Sequence, residues 1–308
     1  MFQNVIFDLD GTLLNTIDDL ADAANWVCAR HGWPLHTVEE YKRFVGNGIP
    51  RLVERFAPAP ERTPEGLARA LEEFSERYGA HRADKTAPYA GMPEAVERLG
   101  LYCRRLLEKN QVMNLTAITD PEDVATLHFL DSAALLTLES FSGKSVVDVG
   151  TGAGFPGLPL RVLEPSIRLT LLDSLNKRIQ FLETVCRELD LPDVACVHAR
   201  AEEFAAEHRE TFDLAVSRAV AALPVLCELC LPLVKPGGKF LAMKSVESDA
   251  ELAAAQHAIA ILGGAVEAVR DYAIPGTDVR HRLIVVEKVK KTPEKYPRMF
   301  AKIKKNPL

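Results

Sequence analysis

Apolar residues gather into short runs at regular intervals along the later two thirds of the chain. Those at 145–149, 168–172, 194–198, 212–216, 238–243 and 282–287 read as strands, several of them near-continuous in the way of strands buried on both faces. Between them, 175–190 and 246–262 read as helices. Strands alternating with helices of this length predict an α/β protein with a parallel, doubly wound, Rossmann-like sheet and an antiparallel end. Ahead of this region the pattern differs: one short apolar run, Val5–Phe7, precedes mostly helical stretches up to residue 97. A helical segment from Pro93 to Leu107 crosses the boundary, with Gly100 as a break, and 110–122 reads as a loop. Asp120-Pro-Glu-Asp then caps a helix running through Ser132. The expected organisation is therefore a first segment over 1–97 and a second domain over 98–308.

The run at 146–149 is interrupted only by Asp148 and ends in Gly150-Thr-Gly152-Ala-Gly154-Phe155-Pro-Gly157. Glycine there opens left-handed backbone and lets a ligand approach the chain closely. The spacing is G-x-G-x-G, whereas a dinucleotide fingerprint has G-x-G-x-x-G. Some twenty residues on, Leu169–Leu172 ends in Asp173, where a second strand presents a carboxylate to ribose hydroxyls. A glycine turn followed by a terminal acid is the pattern of a nucleoside site. Without the phosphate-type spacing, S-adenosylmethionine fits better than a nicotinamide dinucleotide.

Composition adds limits. At 308 residues, 47% hydrophobic and 26% charged, the chain has room for two globular cores. No stretch approaches the ~18 apolar residues of a membrane span, and the N-terminus carries no basic leader, so a soluble, cytoplasmic protein without membrane contact, acting as a monomer, is expected. Of six cysteines only Cys227 and Cys230 have metal-like spacing, and their apolar, helical setting predicts two buried thiols instead. The net charge of −6 is uneven: ten Lys/Arg stand against sixteen Asp/Glu through residue 97, and twenty-seven of each follow. The end, Lys288–Leu308, sets eight basic residues and the aromatics Tyr296 and Phe300 against Glu294 alone. Two readings of it stand: nucleic-acid contacts, or a solvated, disordered terminus.

Near the N-terminus, Val5-Ile-Phe-Asp8-Leu-Asp10-Gly-Thr12 places two carboxylates at the end of a buried strand, on one face, where they can hold Mg²⁺ while one attacks a phosphoryl group. D-x-D-G-T in this setting resembles haloacid dehalogenase-type phosphatases, and Phe44–Arg51 with Pro88–Glu94 resembles the helical cap of the phosphoglycolate phosphatases. That resemblance implies Asp8 as nucleophile and Asp10 as acid/base. The family's later Ser/Thr, its phosphate-neutralising lysine and its acidic Gly-Asp loop have no counterpart after residue 97, and the chain contains no Gly-Asp dipeptide. The segment is expected to be a truncated relic without turnover.

A second resemblance covers about residues 101–298. Asn114-Leu-Thr-Ala-Ile, His128-Phe-Leu-Asp131-Ser, Asp148-Val-Gly-Thr-Gly-Ala-Gly-Phe-Pro-Gly, Leu172-Asp-Ser-Leu-Asn-Lys-Arg178, Arg200-Ala-Glu-Glu, Ser217-Arg-Ala-Val and Pro293-Glu-Lys-Tyr-Pro-Arg298 are together similar to the 16S ribosomal RNA guanine-N7 methyltransferases of the small subunit, the glucose-inhibited division protein B family. Two departures are Lys109, where the family often has tryptophan, and the phosphatase-like segment in place of the family's own N-terminal helix. The resemblance implies S-adenosylmethionine as cofactor and 16S rRNA of the small ribosomal subunit as partner. It implies cofactor binding by Asp148, Gly150, Gly152, Gly154, Phe155, Asp173, Ala201, Glu202 and Arg218, and catalytic or RNA-facing roles for Arg218, Lys244 and Arg282. Each residue also has a plainer reading: Glu202 as the start of a helix, Arg218 as partner of a structural carboxylate, Lys244 as a solvated cation, and His128 and Asp131 as residues that pack and fix their helix.

Guanine N7 carries a free lone pair, so the reaction implied asks chiefly for positioning and not for a base. Arginine's usual bidentate grip on O6 and N7 would cover the reacting atom. Basic residues are therefore expected on phosphates, with the guanine unstacked. The competing readings are a phosphatase working through the first segment, and a regulatory protein whose cap-like helices dock a partner.

Overall fold

The computed structural model describes residues 14–308. Contacts divide the chain into two units after Glu94. In the first, β1 (Leu14–Asn15) pairs antiparallel with β2 (Ala87–Pro88), enclosing α1 (Ile17–His31), α2 (Val38–Phe44), α3 (Ile49–Phe56) and α4 (Pro64–His81) in sequence. The helix ends follow local chemistry. Gly32, at φ 68°, ends α1 in the left-handed conformation, a reciprocal capping box of Thr37 and Glu40 starts α2, and Thr63 caps α4 ahead of a first-turn proline. Val27, Cys28, Tyr41, Phe56 and Phe74 are fully buried together. Asp19, also buried, accepts the backbone N–H groups of Lys85 and Thr86 and the Thr86 hydroxyl, which fastens the returning chain to α1.

Then come α5 (Met92–Met113), α6 (Pro121–Val124), a π-helical turn over Ala125–Leu130, α7 (Asp131–Ala133) and α8 (Leu135–Leu138). The expected break at Gly100 is absent: α5 runs through it to Met113, because one glycine costs a helix only about 1 kcal/mol and Tyr102 and Leu106 are fully buried just beyond it. The loop therefore starts later than expected. Asn110 pins it by exchanging hydrogen bonds with the backbone of Thr116, and Asp120 caps α6 as predicted.

The sheet comprises β3 (Ser145–Val149), β4 (Arg168–Asp173), β5 (Ala195–His198), β6 (Phe212–Arg218), β7 (Val234–Ser245), β8 (Gly264–Ala273) and β9 (Arg280–Lys288), in the order β5-β4-β3-β6-β7-β9-β8. The first five run parallel; β9 and β8 close the edge antiparallel. Strand β8 is an addition to the expected six. Helices α9 (Gly157–Leu163), α10 (Asn176–Glu188), α11 (Ala201–Glu207), α12 (Leu223–Cys230), α13 (Asp249–Ile261) and α14 (Phe300–Lys305) complete the unit. Successive residues of each strand alternate between two cores: Val146, Leu171, Val216, Leu241 and Val285 in one, Val147, Leu172, Ala215, Phe240 and Ile284 in the other. Order reverses at β3, which pairs with β4 on one side and β6 on the other, so a crevice opens beyond its carboxyl end.

The basic tail is packed onto the unit through a few side chains, while most of its lysines stay exposed. Tyr296 and Ile303 are buried in the second core, and the Arg298 guanidinium grips the fully buried Glu228 of α12. Lys288 is fully buried, donating to Leu231 O and Thr292 Oγ1 beside Glu210, and burial pushes its amine down to about 8. The thiols of Cys227 and Cys230 are buried on α12, where desolvation pushes Cys227 up to about 12. Among the described residues no group of His, Cys, Asp or Glu is gathered to hold a metal, and no helix is long and apolar enough to cross a membrane.

Candidate active site

At the crevice, Gly150 N–H and Thr151 N–H both donate to Leu172 O, folding the glycine turn back over β4. Beneath the turn Asp148 is fully buried. Its Oδ2 accepts the Thr151 hydroxyl at 2.7 Å and Gly157 N–H at 2.9 Å, while Oδ1 has no partner. Desolvation pushes its carboxyl up to about 6, against these two hydrogen bonds. Two glycines differ instructively. At Gly154 (φ 109°) a Cβ would come within 2.6 Å of the Tyr102 hydroxyl, so packing requires glycine. At Gly152 (φ 63°) a Cβ would meet only Gly150 O at 3.9 Å, because this residue opens onto the cleft. The turn is shaped to admit something.

That cleft, about 510 Å³, is lined by the glycine turn, Phe155, Asp173, Ala201, Glu202 and Arg218, together with His128, Arg178, Val220 and Phe300. Asp173 accepts Gly152 N–H at 3.0 Å, Leu175 N–H at 2.9 Å and Arg178 Nη1 at 3.2 Å. Three of a carboxylate's roughly four acceptor positions are thus filled, leaving about one for a ligand hydroxyl. Glu202, buried at the first turn of α11, accepts Arg200 Nε at 2.6 Å, and the Arg200 guanidinium lies 4.5 Å from the Phe300 ring centre. The C-terminal helix therefore borders the same cleft.

Arg218, ending β6, is held from several sides. Nη1 donates to Leu127 O at 3.2 Å and Asp131 Oδ2 at 2.8 Å, Nη2 meets His128 Nδ1 at 2.9 Å, and the guanidinium sits 4.9 Å from the Phe155 ring centre. Arginine can only donate, so His128 Nδ1 accepts and its Nε2–H points to Thr116 Oγ1, 2.8 Å away. Burial and the neighbouring Arg218 push His128 down to about 4, and the neutral ring stacks on Phe155 at 4.3 Å. Asp131 is the hub of this network. Fully buried, it also accepts Tyr272 OH at 2.8 Å and His281 Nδ1 at 2.7 Å on Oδ1. Burial pushes its carboxyl up, but the hydrogen bonds from His281 and Arg218 and the charge of Arg218 hold it below the ordinary value.

Lys244 and Arg282, neighbours across β7 and β9, are not in this cleft. Lys244 Nζ donates to Ala221 O and pairs with Glu251, both at 2.7 Å. Arg282 forks onto Asp271 and reaches Asp249 at 2.6 Å, so its guanidinium is taken up by carboxylates and does not present itself as a free RNA contact. Asp8 and Asp10, and the Mg²⁺ expected on them, lie outside the described residues. Four contributors escaped the reading of the sequence: Asp131 as a hub, His281 and Tyr272 beside it, and Phe300 at the cleft. The signal for Asp131 was its place in His128-Phe-Leu-Asp131 and for Phe300 its place among the basic residues of the tail; for Tyr272 and His281, distant in sequence, no local signal exists.

Residues 95–280 match the family model described as rRNA small subunit methyltransferase G, and residues 5–103 match that of haloacid dehalogenase-like hydrolases. The matches overlap over 95–103, inside the unbroken helix α5. The ribosomal RNA small subunit methyltransferase G of Alkaliphilus metalliredigens is 50% identical over 216 residues, covering 69% of this chain and 90% of that one. Its namesake in Clostridium botulinum (strain Loch Maree / Type A3) is 47% identical over 210 residues, covering 67% and 88%. That of Pediococcus pentosaceus is 44% identical over 252 residues, covering 80% and 98%.

Proposed function

The chain belongs to the rRNA small subunit methyltransferase G family, and on that premise we propose that it transfers a methyl group from S-adenosylmethionine to N7 of a guanine in 16S ribosomal RNA of the small subunit. The observation that carries this reading is the glycine turn, open to the cleft at Gly152, whose N–H binds the cleft-lining carboxylate of Asp173. The residues suit a cationic nucleoside. Asp173 retains about one acceptor position for a ribose hydroxyl, Ala201 and Glu202 border the space for adenine, and the unpartnered Oδ1 of Asp148 lies buried under the turn.

S-adenosylmethionine, when bound, supplies an electrophilic methyl on a sulfonium. What this chain contributes is placement. The reacting N7 needs no deprotonation, and His128, whose lone pair at Nδ1 accepts from Arg218, offers none; with Phe155 it forms a flat wall, while Asp131 balances the charge of Arg218 close by. Holding reactants in line supplies roughly 7–11 kcal/mol in well-oriented systems. On the RNA side, Lys302, Lys304 and Lys305 are exposed on α14, the helix whose Phe300 lines the cleft, and we assign them to phosphates. Lys244 and Arg282 are assigned to supporting the β7–β9 edge. For the first unit we propose no hydrolysis, since D-x-D-G-T stands without the lysine and acidic loop that phosphoryl transfer needs. The test is transfer of labelled methyl from S-adenosylmethionine to small subunits lacking the modification. Absence of transfer by the folded protein would refute the reading.

A further inference from the structure

A second cavity, about 440 Å³, adjoins the cleft and shares His128, Arg218 and Ala219 with it. Its volume lies in the ~300–1,000 Å³ range of small-ligand pockets. It lies where β6 and β7 end, at Arg218 and Lys244–Ser245, the sheet end at which ligands collect. At the seam, Ala219 holds φ 57°, a left-handed backbone that a non-glycine residue adopts only under strain, as happens at functional sites.

The polar groups around this cavity are selective. Lys244 Nζ is engaged by Glu251 and Ala221 O, and Asp131 is fully buried beneath three donors. The end-on fork of Arg218 is engaged by Asp131, Leu127 O and His128, so it does not offer the two-pronged grip that covers guanine O6 and N7. His281 is different. Its Nδ1–H donates to the Asp131 carboxylate, and in that Nδ1–H tautomer Nε2 keeps a lone pair to accept. Guanine offers N–H donors at N1 and at its 2-amino group; the same edge of adenine has an acceptor at N1 and a donor at N6.

Resting on the methyl-transfer reading, we propose that this second cavity receives the target guanine, swung out of its RNA stack, with N7 toward the seam and His281 Nε2 accepting from its N1–H and 2-amino edge. Asp131 then has a double duty: it holds Arg218 at the seam and fixes the tautomer of His281. Specificity comes from an acceptor on the far edge of the base, and the reacting lone pair stays uncovered.

Two variants test this with the full chain. Ser245→Trp fills the cavity from an exposed strand end; it should lower kcat for methyl transfer to unmodified small subunits at least about 100-fold, with S-adenosylmethionine affinity by calorimetry within about twofold of wild type. His281→Ala should lower kcat/KM about tenfold to a hundredfold, again without change in cofactor affinity, and His281→Gln, which restores an acceptor, should recover part of the loss. Transfer within about threefold of wild type by both Ser245→Trp and His281→Ala would overturn the proposal while leaving methyl transfer itself intact. A loss of cofactor affinity that parallels the loss of rate would also overturn it. Inactivity of the wild type would instead sink the parent reading, and the chamber with it.

Discussion

The two units handle buried polarity in opposite ways. In the first, the buried carboxylate of Asp19 is satisfied by two backbone N–H groups and a hydroxyl and has a purely architectural partner set. In the second, Asp131, Asp148, Asp173, Glu202 and Ser217 are buried toward the crevice end of the sheet, and one of them keeps an oxygen without a partner. Both units have dry aromatic or aliphatic cores, so core quality does not separate them. Among the described residues, what sets the second unit apart is that buried Asp173 and Glu202 border an open cleft.

The largest effect that would sharpen this contrast is at Gly152. Gly152→Val projects into the cleft and not into packing, so methyl transfer should fall roughly 10³-fold and cofactor binding vanish, at a stability cost of about 1–2 kcal/mol for the left-handed backbone. Calorimetry and thermal melting of the same sample check both halves. Next, Asp131→Ala strands a buried guanidinium and should destabilise the second unit by about 3–4 kcal/mol in urea melts. Asp19→Ala, its counterpart in the first unit, should cost about 1–3 kcal/mol and leave methyl transfer within about twofold. A large loss of transfer in the Asp19 variant would break the comparison.

A smaller effect concerns pH. The folded protein holds Asp148 up at about 6 against an ordinary 3.8, so the stability that its proton contributes is complete below about 3.8 and lost as pH rises through about 6. A cationic ligand in the cleft favours the ionised form. Cofactor affinity should therefore rise with pH through about 6, by up to about tenfold, and be flat in Asp148→Asn; titrations on either side of that value decide it. Smaller still, replacing Lys302, Lys304 and Lys305 with serine should flatten the log–log salt slope of RNA binding by about 0.7 per lost contact. Finally, phosphoglycolate with Mg²⁺ should release no phosphate above background. Turnover abolished by Asp8→Asn would end the view of the first unit as architecture.

Most of the sheet was legible because its strands are buried on both faces and announce themselves as apolar runs. Strand β8 was not. Its outer face carries Glu267, Val269 and Asp271, its inner face Arg270 and Tyr272, and neither alternation nor a continuous run stands out. The consequence reached the site: Asp271 sits on that unseen strand, so the carboxylate that holds Arg282 was invisible in the sequence. The glycine turn and Asp173 were readable because they are local in sequence. The Asp131 network joins residues separated by 87 to 150 positions and exists only once β6, β8 and β9 are assembled around α7.

The same β8 has a bearing on how the protein behaves in company. It is an edge of the sheet, and an exposed edge is a template for pairing with another chain. Here the ladder slips between Val266 and Ala268, Glu267 is drawn sideways to Lys239, and charge recurs at Arg270 and Asp271. A bulged, charged strand is a poor template. At the opposite edge β5 is only 4 residues long. The sheet thus ends in one short strand and one bulged, charged strand, neither of which offers a long flat edge to another chain.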